Sequence, residues 1–168
     1  MNIIETERLT LCKLSTADAG FILDLLNQPS FIRYIGDRGV RTLEDAERYI
    51  LNGPVASYER YGFGLYLTQL KESHIPIGMC GLIKRDTLED VDIGFAFLPQ
   101  FWLKGYAFES ASAVLAYARN TLGIKKILGI ATPDNTGSIR VLEKIGLKFE
   151  KMVKLSEDAV ELKLFASD

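Results

Sequence analysis

Apolar and polar residues alternate over residues 8–14 (Arg-Leu-Thr-Leu-Cys-Lys-Leu), the two-residue period of a half-buried strand. The period then lengthens. Ala19, Ile22, Leu25 and Leu26 share one helical face, with Ser15 or Thr16 placed to cap that helix and Pro29 to stop it. The next stretch mixes Phe31, Tyr34 and Ile35 with Arg33, Asp37 and Arg38, and Gly36 and Gly39 interrupt it. It reads as a short helical turn followed by a loop. Thr42 with Asp45 forms a capping box, Asp replacing the usual Glu, and opens a second helix. That helix ends near Asn52-Gly53-Pro54 or resumes briefly through Tyr58.

Strand-like runs at residues 63–70, 76–84 and 91–98, separated by polar turns, read as an antiparallel meander. Gly78 and Gly81 in the second run imply a bulge or the close approach of another backbone. Helical spacing returns with Ala107, Ala111, Val114, Leu115, Ala118 and Leu122. A short buried strand at 126–132 follows, then a helix at 135–145 with Gly146 as its C′ residue. A hairpin turning at Ser156-Glu157-Asp158 ends the chain. The order β-α-α-β-β-β-α-β-α-β-β predicts an α+β class and a mixed seven-stranded sheet, mostly antiparallel, with a parallel central strand–helix–strand unit.

The chain of 168 residues is 48% hydrophobic, which suits one domain with a substantial core, and residues 1–168 show no linker or repeat. A net charge of −2 and a lack of Lys/Arg clusters beyond Lys125-Lys126 argue against a nucleic-acid partner. No apolar run reaches membrane-spanning length, and residues 1–8 do not resemble a signal peptide. Cys12 and Cys80 lie far apart in apparent strands, as expected of reduced thiols in a cytoplasmic protein. With His74 the sole histidine and no C-x-x-C, no metal site is expected.

Candidate chemistry concentrates after the strand at 91–98. Phe101-Trp102-Leu103-Lys104-Gly105-Tyr106-Ala107-Phe108-Glu109 is a glycine-containing turn that opens a helix, an arrangement that presents free N–H groups to a phosphate. Gly105 and Ala107 leave the backbone open to approach, and Lys104 adds charge. A helix-start glycine in a tight turn is the alternative. The chain has neither G-x-G-x-x-G nor G-K-[ST], which disfavours dinucleotide and mononucleotide loops. Asn135-Thr136-Gly137-Ser138 opens the next helix, with Asn135 suited to accept from the amide of Gly137 or Ser138.

The run Trp102-Leu103-Lys104-Gly105-Tyr106-Ala107 with Glu109 resembles the cofactor motif of the GNAT family of N-acetyltransferases, [Q/R]-x-x-G-x-[G/A]. It is nearer still to the W-G-K-G-Y-A-T-E-A of the ribosomal-protein N-terminal (Rim-type) subgroup. The stretch from Asn135 through Ser138, Arg140, Glu143 and Lys144 to Gly146 is similar to that subgroup's N-x-x-S-x-R-V-x-E-K-x-G-F, and the opening around Arg8 to its first strand. The resemblance spans essentially the whole chain, in order.

It implies acetyl-CoA as co-substrate, direct transfer to an amine through a tetrahedral intermediate, and a sheet splayed between the fourth and fifth strands. The amides of Leu103, Lys104, Gly105, Tyr106, Ala107 and Phe108 would hold the pyrophosphate. Those of Phe97 and Leu98, or a neighbour at a bulge, would meet the pantetheine arm, with Asn135 beside it. The tyrosine acid of many members is replaced by Leu142. Ser138 is the candidate partner for the leaving sulfur, and Asp92 the candidate base, against the alternative of a solvated strand-end carboxylate. Glu109 is assigned to helix packing or dipole compensation. Phe31, Arg33, Tyr34 and Asp37 are the candidate contacts to the acceptor, a protein N-terminus or a small amine. A regulatory acyl-CoA-binding module is the alternative function. The protein is expected to be a monomer or a homodimer.

Overall fold

The hydrophobic alternation at residues 8–14 is strand, and the four residues Asn2–Glu5 ahead of it form another strand against it. In the computed structural model, which describes residues 2–168, the sheet therefore has eight strands where the pattern predicts seven. The added strand, Asn-Ile-Ile-Glu, is too short to show a period, and only pairing makes it a strand.

The strands are β1 (Asn2–Glu5), β2 (Leu9–Lys13), β3 (Leu65–Leu70), β4 (Pro76–Ile83), β5 (Asp92–Phe97), β6 (Leu128–Ala131), β7 (Lys148–Val153) and β8 (Leu162–Ala166). Their order across the sheet is β1-β2-β3-β4-β5-β6-β8-β7, and β5–β6 is the parallel neighbour pair. β5 meets β4 in continuous register from Gly78↔Phe97 to Ile83↔Asp92, but meets β6 at Asp92↔Leu128 alone. Beyond that point the two strands diverge. The bulge expected at this place in β5 is absent, so the splay arises with an unbroken β4–β5 ladder.

Helices cover both faces. On one side lie α1 (Ala19–Leu26), α2 (Pro29–Tyr34) and α3 (Leu43–Ile50), while α4 (Ala56–Tyr61) sets Tyr58 into the cluster of the other side. Ile22, Leu25, Ala46 and Ile50 pack on the first side against Leu67 and Met79. On the other side α5 (Tyr106–Asn120) sets Ala111, Val114, Leu115 and Ala118 against Ile77, Leu82 and Ile93, and α6 (Thr136–Lys144) adds Leu142. β4, covered on both faces, is buried from Ile77 to Leu82 without alternation.

Two prolines act differently from a simple stop. Pro29 stands at the first position of α2, where its missing N–H leaves no acceptor unserved. Pro54 lies inside a π-helical turn, Leu51–Val55, that joins α3 to α4, so the chain widens by one residue instead of ending. The Thr42 capping box forms as read, with the Asp45 amide donating to Thr42 Oγ1 at 3.1 Å and the Thr42 amide to Asp45 Oδ2 at 3.2 Å.

Gly78 and Gly81 mark close approaches. A Cβ on Gly81 would sit 2.1 Å from the carbonyl oxygen of Gly64, and one on Gly78 would sit 2.3 Å from that of Ala96. Both obstacles are backbone, Ala96 within β5 and Gly64 just ahead of β3, and cannot turn aside. Gly81→Ala should therefore destabilise the fold by about 3 kcal/mol, at the upper end for overpacking. That corresponds to a Tm lowered by roughly 6–12 °C in a chain of this length. Thermal unfolding followed by circular dichroism measures it, and an unchanged Tm contradicts the close packing described.

Candidate functional site

The divergence of β5 from β6 opens two connected cavities. One, of about 510 Å³, is lined by Phe97, Trp102, Leu103, Gly105, Tyr106, Ala107 and Phe108 and by one face of α6 from Thr136 to Lys144. The other, of about 160 Å³, runs between β5 and the α2–α3 side and is lined by Arg38, Tyr49, Arg85 and Asp92. Phe31, Tyr34, Ile35, Phe95, Ala96, Asn135 and Ser138 line both and mark where they join.

The larger cavity ends on the start of α5. Gly105 is the N-cap, with φ 84°, and Leu103 two residues earlier has φ 63°. Left-handed residues here turn successive N–H groups to one side, the geometry of an anion nest. The first helical bond runs from the Glu109 amide to the Gly105 carbonyl at 3.0 Å. Among the described residues, the amides of Gly105, Tyr106, Ala107 and Phe108 find no acceptor in the protein. They are the orphan donors of a fifteen-residue helix, open toward the cavity. This is a site that fits a phosphate-bearing ligand.

The turn is braced from the N-terminus. Glu109 accepts from Thr6 Oγ1 at 2.5 Å, from the Arg8 amide at 2.9 Å and from Arg8 Nε at 2.7 Å. Arg8 Nη1 reaches back to the Lys104 carbonyl at 2.9 Å, and the guanidinium lies 4.4 Å from the Tyr106 ring centre. Burial pushes the Glu109 carboxyl up, but the bonds from Thr6 and Arg8 outweigh it and hold its pKa below the usual value. Glu109 thus ties α5 to the turn between β1 and β2, a more specific duty than dipole compensation. Lys104 does not line the cavity. The cations that do are Arg140 and Lys144, one turn apart on α6. Both fall in the stretch that resembles the family, but the sequence assigns them no contact because helix-surface cations are usually solvated; their i, i+4 spacing beside Asn135 is the available signal.

Strand parity decides which β5 amides face the cavity. The Leu98 amide donates to the Ile77 carbonyl at 2.9 Å, so it belongs to the β4 ladder and is not free for a ligand. Leu98 itself is buried and lines neither cavity. N–H groups alternate sides along an antiparallel pair, so those of Phe95 and Phe97 point the other way, into the splay. The Phe97 carbonyl on that side is already capped by Trp102 Nε1 at 2.9 Å. Phe95 replaces Leu98 as the second amide of the site. Parity was available from the register alone once the pairing was known.

At the head of α6, Asn135 Oδ1 accepts from the Ser138 amide at 3.3 Å, one of the two capping bonds expected. The Ser138 hydroxyl has no protein partner among the described residues. Leu142 is buried, packs where a Cβ on Gly129 would strike it, and supplies no proton.

Asp92 is 1% exposed, which excludes a solvated strand-end carboxylate. Burial raises its pKa to about 6, against the opposing pull of Arg85, whose Nε donates to Oδ1 at 3.0 Å. Oδ2 is buried with no partner, and the residue contributes to the wall of the smaller cavity. The pair could be anticipated from the β4–β5 hairpin: Ile83 faces Asp92, which brings Arg85 alongside.

The expected acceptor contacts divide. Phe31 and Tyr34, three apart on α2, face the cavities. Arg33 is exposed, with its guanidinium 4.9 Å from the Tyr34 ring centre and bonded to Asp134 at 3.2 Å, so its charge is already committed. Asp37 is bound to Arg41 at 2.6 Å and to the Gly39 amide at 2.9 Å, so it shapes the loop. Neither lines a cavity; helical period and local turn chemistry turn both away. Cys80 is wholly buried, its thiol pushed up to about 12, which is inert packing. Among the described residues no cluster of side chains could hold a metal ion, and no helix is long and apolar enough to cross a membrane.

Residues 8–148 match the family model of the acetyltransferase (GNAT) domain. The chain is 29% identical to YoaA, an uncharacterized N-acetyltransferase of Bacillus subtilis, over 90% of this chain and 86% of that one. A GNAT-family acetyltransferase from Bacillus anthracis superposes with a TM-score of 0.80 at 26% identity, covering 97% of this chain and 96% of that one. RimL, a ribosomal L7/L12 alpha-N-protein acetyltransferase solved with coenzyme A, shares the fold with a TM-score of 0.84 at 18% identity, over 99% and 97% of the two chains. The splayed sheet, the open helix N-terminus beneath it and the family match over most of the chain place this protein in the GNAT family of acetyl-CoA-dependent acetyltransferases.

Proposed function

We propose that the protein transfers acetyl from acetyl-CoA to the nitrogen of a primary amine by direct attack, as a Rim-type member of its family. The observation that carries this reading is the set of unpartnered amides at the start of α5, opening into a cavity that continues along β5 to a buried carboxylate. Acetyl-CoA, when bound, supplies the acetyl group already activated as a thioester.

The remaining roles belong to the chain. The amides of Gly105, Tyr106, Ala107 and Phe108 hold pyrophosphate, with Arg140 and Lys144 neutralising its charge. Phe95 and Phe97 offer amides to the pantetheine arm as an added strand would. One of them donates to the acyl oxygen, where developing charge is stabilised. Asn135 fixes the head of α6, and Ser138 gives its hydroxyl hydrogen bond to the departing sulfur. Asp92, ionised above about pH 6, accepts the proton of the incoming amine, directly or through water. Phe31 and Tyr34 flank the acceptor's entry.

Three outcomes test these roles. Gly105→Glu places a bulky anion in a φ 84° position within the nest and should abolish acetyl-CoA binding by calorimetry in a folded protein. Normal affinity would remove this turn from the site. Ser138→Ala should lower kcat about tenfold or more with little change in acetyl-CoA affinity. An unaltered kcat returns Ser138 to helix initiation. For Asp92 the pH profile of kcat/KM is decisive. A carboxylate raised to about 6 acts as base only above that pH, so activity should break downward as pH falls through 6. In Asp92→Asn that break should vanish and the rate should drop by roughly 10²–10⁴. Persistence of the break assigns it to another group.

A further inference from the structure

The smaller cavity holds an unusual set of charges. Its charged lining residues are Arg38, Arg85 and Asp92, so the wall carries one more positive than negative charge. Arg85 commits Nε to Asp92, and among the described residues neither of its terminal nitrogens has a protein partner. Arg38 makes no ion pair or hydrogen bond with the described residues. Its sequence neighbour Asp37 is engaged by Arg41 instead. Tyr49 lines the same cavity. Burial raises its pKa, and Arg38 and Arg85 both act on it in the opposite direction. Arg38, which is exposed, Arg85 and Tyr49 thus all offer donors to the lining of the one cavity that Asp92 also lines.

We infer that this cavity is an acceptor subsite for a small primary amine that also bears a carboxylate, of the α-amino-acid type. The free nitrogens of Arg85, the guanidinium of Arg38 and the Tyr49 hydroxyl receive the carboxylate, while the Asp92 carboxylate receives the ammonium. A planar guanidinium with two unused nitrogens matches a carboxylate in a paired arrangement that an ammonium cannot use. The same wall opposes a polyamine, because each added ammonium would face two cations with one carboxylate already shared. Size agrees. A cavity of about 160 Å³ is close to the roughly 150 Å³ that encloses a benzene-sized molecule. That admits a compact amino acid and excludes a long acceptor lying wholly within it. The inference rests on the acetyl-transfer reading and adds its substrate class.

The test is thiol release at saturating acetyl-CoA with matched acceptors: small α-amino acids, their carboxamides, the corresponding decarboxylated amines, a polyamine and carboxamide-ended peptides. The free acids should exceed their carboxamides and decarboxylated counterparts in kcat/KM by tenfold or more. Arg38→Ala should raise KM for the acids about tenfold, leave KM for acetyl-CoA unchanged and bring the acid-to-carboxamide ratio toward one. Arg38→Lys should recover part of that ratio, and Tyr49→Phe should lower it with kcat little altered. Equal use of acids and carboxamides, preference for the polyamine or the peptides, or an unchanged ratio in Arg38→Ala overturns the inference. Failure to acetylate or bind any carboxylated amine while other amines are acetylated overturns it alone. Loss of acetyl-CoA binding by the unaltered protein overturns the acetyl-transfer reading beneath it.

Discussion

The single pairing of β5 with β6, at Asp92↔Leu128, is the constraint on which the site depends. Two parallel strands that stayed in register would satisfy each other's amides and leave no room between them. By parting, they leave the outward N–H groups of Phe95 and Phe97 without strand partners. Unpaired backbone donors are tolerable only when water or a ligand can reach them. The divergence therefore creates the cavity and its hydrogen-bonding capacity together. It also places Asp92 at the closed end of the gap, where burial raises its pKa.

Opening a sheet weakens it locally, and the surrounding structure compensates. β4 and β5 keep an unbroken ladder, and β4 is buried on both faces. Gly78 and Gly81 permit the neighbouring backbones to come close enough for that packing. On the ligand side, the turn before α5 is held by a clamp spanning the chain, from Thr6 and Arg8 to Glu109 and the Lys104 carbonyl. An anion nest binds well when its amides are oriented before the ligand arrives, since little ordering remains to be done. The clamp supplies that orientation.

The Arg85–Asp92 pair serves a different end. A buried ion pair adds little stability over an apolar substitute, so its retention calls for another account. Here one carboxylate oxygen is satisfied and the other is buried without a partner, and the guanidinium likewise keeps two nitrogens unused. Incomplete pairing in a buried place is unfavourable in the empty protein and favourable once a complementary ligand arrives. That is the behaviour the proposed acceptor subsite requires of this pair.

Local periodicity and capping chemistry are encoded within a few residues, and they were legible. The strand runs, the helix faces of α1 and α5, the Thr42–Asp45 box and the Asn135 cap all appear as read. Gly105 and Asn135 could be located for the same reason, because each sits at a helix start with a recognisable local pattern. What was hidden depends on partners distant in sequence. β1 is a strand through pairing with β2. Leu98 is excluded and Phe95 included by ladder parity. Arg33 and Asp37 turn away because a helical period and a local turn claim them. Arg8, Arg85, Arg38 and Tyr49 come to the site from four separate segments. A residue's propensity is a property of its neighbours along the chain, whereas burial, pairing and the pKa of a carboxylate such as Asp92 are properties of what folding brings beside it.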